Sequence, residues 1–201
     1  LLIENGIDTV RFKPDSRARE RIRAALGIDA GATVLVVTAR VDPMKDYATL
    51  LSALEQVPGV TAVIMGEGTG SQLPDTPGVI RLGRRSDVPD ILSAADMIVS
   101  SSAYGEGFSN AVAEGMACGL PAIATDVGDV RRIIGDTGTV VPPRDPEALA
   151  AAIREMGAAE NRAERGQAAR QRIVENFSLE RTVARFRQLY ENGLQEETQE
   201  S

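Results

Sequence analysis

Short β-branched apolar runs alternate along this chain with stretches whose apolar residues recur every three or four positions. Thr33–Ala39 and Val60–Met65 are near-continuous apolar runs, the pattern of strands covered on both faces. Val79–Leu82, Met97–Ser100, Ala122–Thr125 and Thr139–Val141 are shorter runs of the same kind. Between them, Asp15–Leu26 sets Ile22, Ala25 and Leu26 on one helical face and ends at Gly27. Tyr47–Val57 does the same with Leu50, Leu51 and Leu54 before Pro58-Gly59. Further helices are expected over Asp87–Ala95, from Asn110 to just before Gly119, over Val127–Ile134, and over Pro146–Met156 with Asp145 as N-cap.

Strands that alternate with helices through short connections predict an α/β fold, an open doubly wound parallel sheet covered on both faces, with right-handed crossovers. A single domain spanning 1–201 is expected. Residues 1–14 read as a linker-like start with a turn at Asn5-Gly6. Residues 158–194 read as two polar helices, near 159–175 and 179–192, parted by a capping Ser178. The charged tail 195–201 is expected to fray. Ligands of such sheets bind at the carboxyl ends of the strands. The loops after Ala39, Met65, Leu82, Ser100 and Thr125 all lie at that edge.

Composition narrows the chemistry. A net charge of −7 without a basic stripe argues against a nucleic-acid surface. Histidine is absent and Cys118 is the single cysteine, which excludes the usual zinc sites and Ser-His or Cys-His nucleophiles within this chain, so no metal is expected. Cys118, in a small-residue helix, reads as a buried thiol compatible with a reducing cytoplasm. No apolar run reaches bilayer length, and Leu1-Leu2-Ile3 gives way at once to Glu4-Asn5-Gly6, which does not read as a signal peptide. Any membrane association would be peripheral, with a cytoplasmic setting expected, including the inner face of the membrane for a full-length enzyme.

Arg40 and Lys45 directly follow a buried strand, where two cations could neutralise a diphosphate. Equally, they could be solvated loop charges paired with Asp42 and Asp46. The run Gly66-Glu67-Gly68-Thr69-Gly70 lacks the spacing of a dinucleotide fingerprint, because its third glycine comes one residue early and Leu73-Pro74 interrupts the helix. It can still be a glycine loop that lets backbone approach a ligand, or a simple tight turn. Ser100–Asp126 holds the densest chemistry: Glu106 flanked by Gly105 and Gly107, a helix start near Phe108, Ser109 and Asn110, and Glu114 in the second turn. Helix-start amides attract anions and ionised carboxylates accept hydrogen bonds from sugar hydroxyls, which suits a ligand carrying both a phosphate and hydroxyls.

The run Glu106–Glu114, continued as GMACGLPAIATDVGD, resembles the E-x7-E motif of the retaining family 4 glycosyltransferases, enzymes of GT-B architecture built from two facing Rossmann-like domains. ENGID with Phe12 is similar to the start of that family's C-terminal domain, Arg40 to Lys45 to its Arg-x4-Lys clamp, and Gly66-Glu67-Gly68 to its glycine loop. Leu82-Gly83, Ala95-Asp96 and Ser100-Ser101 follow in order, so the resemblance covers residues 3–190. Three positions depart from the pattern: Ala39 and Asp46 stand where glycines are usual, and Gly115 stands where alanine is usual.

The resemblance implies a donor-binding domain that uses a nucleotide diphosphate sugar as substrate. Glu106 would hold hydroxyls of the donor sugar, Glu114 the ribose, and Arg40 with Lys45 the diphosphate, so that Glu106, Arg40 and Lys45 are the candidate catalytic groups. Amides around Gly107, Phe108, Ser109 and Asn110 would take the distal phosphate, Gly66 and Gly68 would line the approach, and Gly83-Arg84 would meet the base. It further implies that the acceptor-binding N-terminal half, which contributes a histidine near the sugar, is missing from this chain, and that part of the final helix pair, which packs across the domain boundary, is exposed. Such a fragment would bind donor and transfer poorly. A stand-alone nucleotide-sugar-binding or regulatory module is the alternative, and polysaccharide synthesis is the expected setting.

Overall fold

The computed structural model describes residues 3–199, with side chains described as far as Asn192. Six parallel strands, β1 (Thr33–Thr38), β2 (Val60–Met65), β3 (Val79–Gly83), β4 (Met97–Ser100), β5 (Ala122–Thr125) and β6 (Thr139–Val141), form one sheet in the order β3-β2-β1-β4-β5-β6. β1 pairs with β2 along its whole length, from Thr33 opposite Val60 to Thr38 opposite Met65. On its other side it pairs with β4 through Leu35–Met97 and Val36–Ile98. Strand order therefore reverses between β1 and β4, which opens a crevice at their carboxyl ends.

The alternation of side chains along β1 divides the core. Val34 and Val36 face a layer made by α1 (Ser16–Ala25), α3 (Val88–Ala94), α4 (Asn110–Ala117), α5 (Val130–Ile134) and α7 (Arg162–Phe177). Leu35 and Val37 face α2 (Tyr47–Glu55) and α6 (Pro146–Ala158). Both faces are fully covered, which is why the strands read as apolar runs rather than alternating ones. The expected fold class is the one observed.

At the opposite edge, the amino ends of the strands, an ionic cluster holds α1 to the sheet. Arg23, 4% exposed, donates to the carbonyls of Asp29, Ala30, Ala32 and Ala94 and to Asp96 Oδ2 at 2.9 Å. Asp96 also accepts from Arg19 at 2.7 Å and from the Val34 amide at 2.8 Å. Burial lowers the Arg23 pKa, and Asp96 opposes that by stabilising its charge.

The leading residues differ from expectation. The turn falls at Thr9–Arg11 rather than Asn5-Gly6, because the Asp8 carboxylate accepts from the Val10 and Arg11 amides at 3.1 and 2.9 Å while its carbonyl accepts from Phe12 at 2.8 Å. Ile7 and Phe12 are buried in the main core. Ile7 is clasped between α7 and α8 (Leu179–Gln199): its amide donates to the Phe177 carbonyl at 2.8 Å and its carbonyl accepts from Leu179 at 2.9 Å. Buried Glu4 pairs with Arg132 of α5 and Arg185 of α8.

Helix α8 is described through Gln199, where a frayed tail was expected from Gln195; Glu200 and Ser201 lie outside the described residues, as do Leu1 and Leu2. It exposes Leu179, Val183, Phe186, Leu189 and Tyr190. No helix among the described residues is long and apolar enough to cross a membrane.

Candidate active site

The loops leaving β1 and β4 meet at the order reversal. After β1, extended Asp42 caps a single 3-10 turn, Pro43–Lys45, accepting from the Met44 amide at 2.9 Å, with Pro43 at the turn's start where no amide is needed. Asp46 follows in the left-handed region (φ 45°) and caps α2, accepting from the Thr49 amide at 3.2 Å and its hydroxyl at 2.7 Å. Lys45 is thus fixed between two capping aspartates. Its carbonyl accepts from Ser101 Oγ at 2.8 Å, and the Met44 carbonyl accepts from the Ala103 amide at 2.8 Å, so the two loops are laced together.

Across this lacing Lys45 Nζ pairs with Glu106 Oε1, the side chains being 19% and 12% exposed. Ser102 Oγ donates to the same oxygen at 2.6 Å, and Thr125 Oγ1 holds the Ser102 carbonyl at 2.5 Å. A pair this withdrawn from water is screened by salt far less than a surface pair. Glu106 and Lys45 are therefore presented together, at the carboxyl edge, with their charges mutually balanced.

Helix α4 begins beside them. Ser109 stands at its N-cap without a side-chain capping bond, and the first intrahelical bond runs from the Ala113 amide to the Ser109 carbonyl at 3.1 Å. The amides of Asn110, Ala111 and Val112 precede that bond, which makes the helix start a site for an anion. Phe108 packs its ring on Phe177, with centroids 5.5 Å apart, and the Gly107 carbonyl accepts from Asp129 at 3.3 Å, so the approach to the helix is anchored from both sides. At Gly115 an added Cβ would lie 2.7 Å from Ile98 Cβ; the glycine lets α4 sit directly on β4.

The other predicted residues lie apart from this pair. Arg40, with its side chain 58% exposed, turns to Asp42 Oδ2 at 3.0–3.1 Å. The Met44 amide first, and then Arg40, hold the Asp42 carboxyl below its usual pKa. The Asp42 partner foreseen for Arg40 is observed, whereas Asp46 caps a helix instead of pairing with Lys45. Gly66 (φ 142°) has a structural use: a Cβ there would meet the Ala39 carbonyl oxygen at 2.0 Å, so it permits the β1 and β2 loops to touch. Gly68 belongs to the same turn, in which Thr69 Oγ1 donates to the Gly66 carbonyl at 2.9 Å and accepts from the Gly83 amide at 3.1 Å. Gly83 and exposed Arg84 close β3, the edge strand, two strands from β1.

Glu114 lies one turn beyond Asn110 on α4 and lines a cleft of about 440 Å³ with Glu4, Asn5, Asp8, Thr182 and Phe186. Asn5 Nδ2 donates to Asn110 Oδ1 at 3.2 Å across its mouth. Burial pushes the Glu114 carboxyl up, partly offset by the Arg11 cation. The two glutamates of the motif thus have different surroundings, one ion-paired at the crevice and one desolvated in a cleft. Sequence reasoning named Ser101 only as a landmark of the resemblance and missed Ser102; the first holds the Lys45 carbonyl and the second the Glu106 carboxylate. The signal was present as a run of hydroxyls, Ser100-Ser101-Ser102, leaving a strand at the ligand edge.

The chain is similar to proteins already characterised. The D-inositol 3-phosphate glycosyltransferase of Rhodococcus erythropolis is 31% identical over an alignment 207 positions long, covering 90% of this chain and 46% of that protein. The solved sucrose-phosphate synthase of Thermosynechococcus elongatus superposes with a TM-score of 0.85 at 29% identity, over 96% of this chain and 52% of that one. HepE of Anabaena, crystallised with UDP-glucose, shares the fold with a TM-score of 0.87 at 23% identity, over 96% of this chain and 57% of that one. The chain therefore spans about half the length of these relatives. The profile of the family described as Glycosyl transferases group 1 matches residues 32–158, which take in every strand and both site loops; the chain belongs to that family.

Proposed function

We propose that this chain is the donor-binding domain of a retaining glycosyltransferase, which holds a nucleotide diphosphate sugar while an acceptor-binding domain presents the nucleophile. The observation that carries this reading is the Lys45–Glu106–Ser102 cluster set against the uncapped start of α4 at the switch point. Donor binding exchanges partners: the diphosphate takes Lys45 and the α4 amides, and the released Glu106 carboxylate accepts from hydroxyls of the sugar. Negative charge that grows on the leaving diphosphate is then met by a cation and by the positive end of a helix, both in place beforehand. Arg40 reaches the diphosphate by leaving Asp42. Glu114 accepts from the ribose hydroxyls, and Gly83-Arg84 border the base.

The length relation to the relatives and the apolar stripe on α8 support a second domain that supplies acceptor contacts, with transfer by this chain alone slow or absent. No metal is invoked. The setting we propose is cytoplasmic polysaccharide synthesis. UDP, GDP and ADP titrated calorimetrically into wild-type protein and into Lys45→Met and Glu114→Ala test the reading. One diphosphate should bind, and both substitutions should weaken it. Equal binding by all three proteins overturns the site assignment, and transfer at ordinary enzymatic rates by this chain alone overturns the need for a second domain.

A further inference from the structure

Below the Lys45–Glu106 pair, Thr38 ends β1 on the face that looks toward α4, two residues on from Val36 in the same alternation. Its Oγ1 is fully buried and meets no hydrogen-bonding partner, whereas among the described residues nearly every other buried side-chain polar atom has one. Thr38 borders a small crevice that it shares with Lys45, Ser100, Ser109, Ala111 and Val112, with a free volume of about 10 Å³. Such a volume admits one water and no larger group. Its roof is the start of α4, whose Ala111 and Val112 amides precede the first intrahelical bond.

A buried hydroxyl without a partner costs stability, and valine is its near-isostere, common in strands. The threonine here therefore calls for a use. We propose that Thr38 is a positioning residue for the donor: with the α4 amides it holds one water in this crevice, and that water forms the floor on which the distal phosphate sits. The inference rests on the donor-binding reading above, which assigns that phosphate to the α4 start. Thr38 acts on the phosphate through the water and not by contact. Lys45 meets the phosphate from the crevice mouth, and the water meets it from beneath.

The test compares wild type, Thr38→Val and Thr38→Ser by thermal melting without ligand and by calorimetry with nucleoside diphosphate and monophosphate of the base that wild type binds. Thr38→Val should fold with an unchanged or raised Tm. It should lose about 3- to 10-fold in diphosphate affinity, the size of one hydrogen bond, with monophosphate affinity unchanged. Thr38→Ser should stay within about 2-fold of wild type for both. Diphosphate affinity equal to wild type in Thr38→Val overturns the proposal, as does equal weakening of monophosphate and diphosphate, which would mean a general distortion. If wild type binds no nucleotide, the donor reading fails and the phosphate-seating role fails with it. The water site is then decided separately by a high-resolution crystal structure of the wild-type protein. Density within hydrogen-bonding distance of Thr38 Oγ1 and the Val112 amide supports the site, and an empty crevice overturns it.

Discussion

The two edges of the same sheet each carry a partly buried ionic cluster, yet they are finished differently. At the amino edge Arg23 donates to four carbonyls and Asp96, and Asp96 accepts from two arginines and a backbone amide, so the capacity of both groups is nearly filled by the fold. At the carboxyl edge Lys45 has Glu106, Glu106 has Lys45 and Ser102, a helix start lies uncapped, and Thr38 Oγ1 meets nothing. Burial and charge are alike; saturation is not. Groups whose hydrogen-bonding capacity is used up hold structure, and groups left with capacity are free to take a further partner.

Breaking the saturated cluster should have the largest effect. Asp96→Ala strands two arginine charges and the Val34 amide, and should cost about 3–5 kcal/mol in urea denaturation, the range for a buried pair that loses one member. Whatever folded protein remains should keep its nucleotide affinity. The contrast between the edges collapses if Asp96→Ala leaves the denaturation midpoint in place. At the other edge Lys45→Met should do the reverse. Diphosphate affinity should fall by about 10- to 100-fold, as for a charge-assisted hydrogen bond, and stability should fall by less than in Asp96→Ala, because Glu106 loses one partner and keeps Ser102. A large stability loss with unchanged binding would reassign Lys45 to the scaffold.

Glu114 sharpens the contrast at the smallest scale. Burial raises its folded-state pKa, so the fold favours its protonated form. The contribution to stability relative to Glu114→Gln is full at a pH below the ordinary carboxylate range and is lost as the pH climbs through the raised value. Melting of both proteins across that interval should show wild type losing ground to the glutamine variant by about 1–2 °C as the pH rises. Nucleotide affinity should move the opposite way, since the ionised carboxylate is the stronger acceptor for the ribose hydroxyl assigned to it in the proposed function. Parallel pH profiles for the two proteins would place Glu114 outside both roles.

Most of the fold was legible because the strands are covered on both faces and announce themselves as β-branched runs, with helix stops such as Gly27 and Pro58-Gly59 between them. The turn at residues 9–11 was not, because Asn5-Gly6 is the stronger local signal and the Asp8 side chain overrides it through the Val10 and Arg11 amides. The site was legible in part. Lys45 and Glu106 were each read as lying at the ligand edge, but their pairing was not, because it depends on the two loops leaving adjacent strands, β1 and β4. The orientation of Arg40 toward Asp42 was left open by spacing alone. Thr38 could not be read at all: a threonine ending a strand is ordinary, and only the layer it faces shows that its hydroxyl is alone. Gly115, which stands where alanine is usual, proves to be the contact point of α4 on β4.

The clasp at Ile7 makes a ring of the domain. The segment leading into the fold and the helix leading out of it are stapled to one another by the Ile7 bonds to Phe177 and Leu179, by Thr182 on the Glu4 carbonyl and by Arg185 on the Glu4 carboxylate. The staple also touches the site: Asn5, next to Glu4, donates to Asn110 at the start of α4, and Phe177 packs on Phe108. The contacts that join the entering segment to the leaving helix therefore also brace the helix start that faces the crevice.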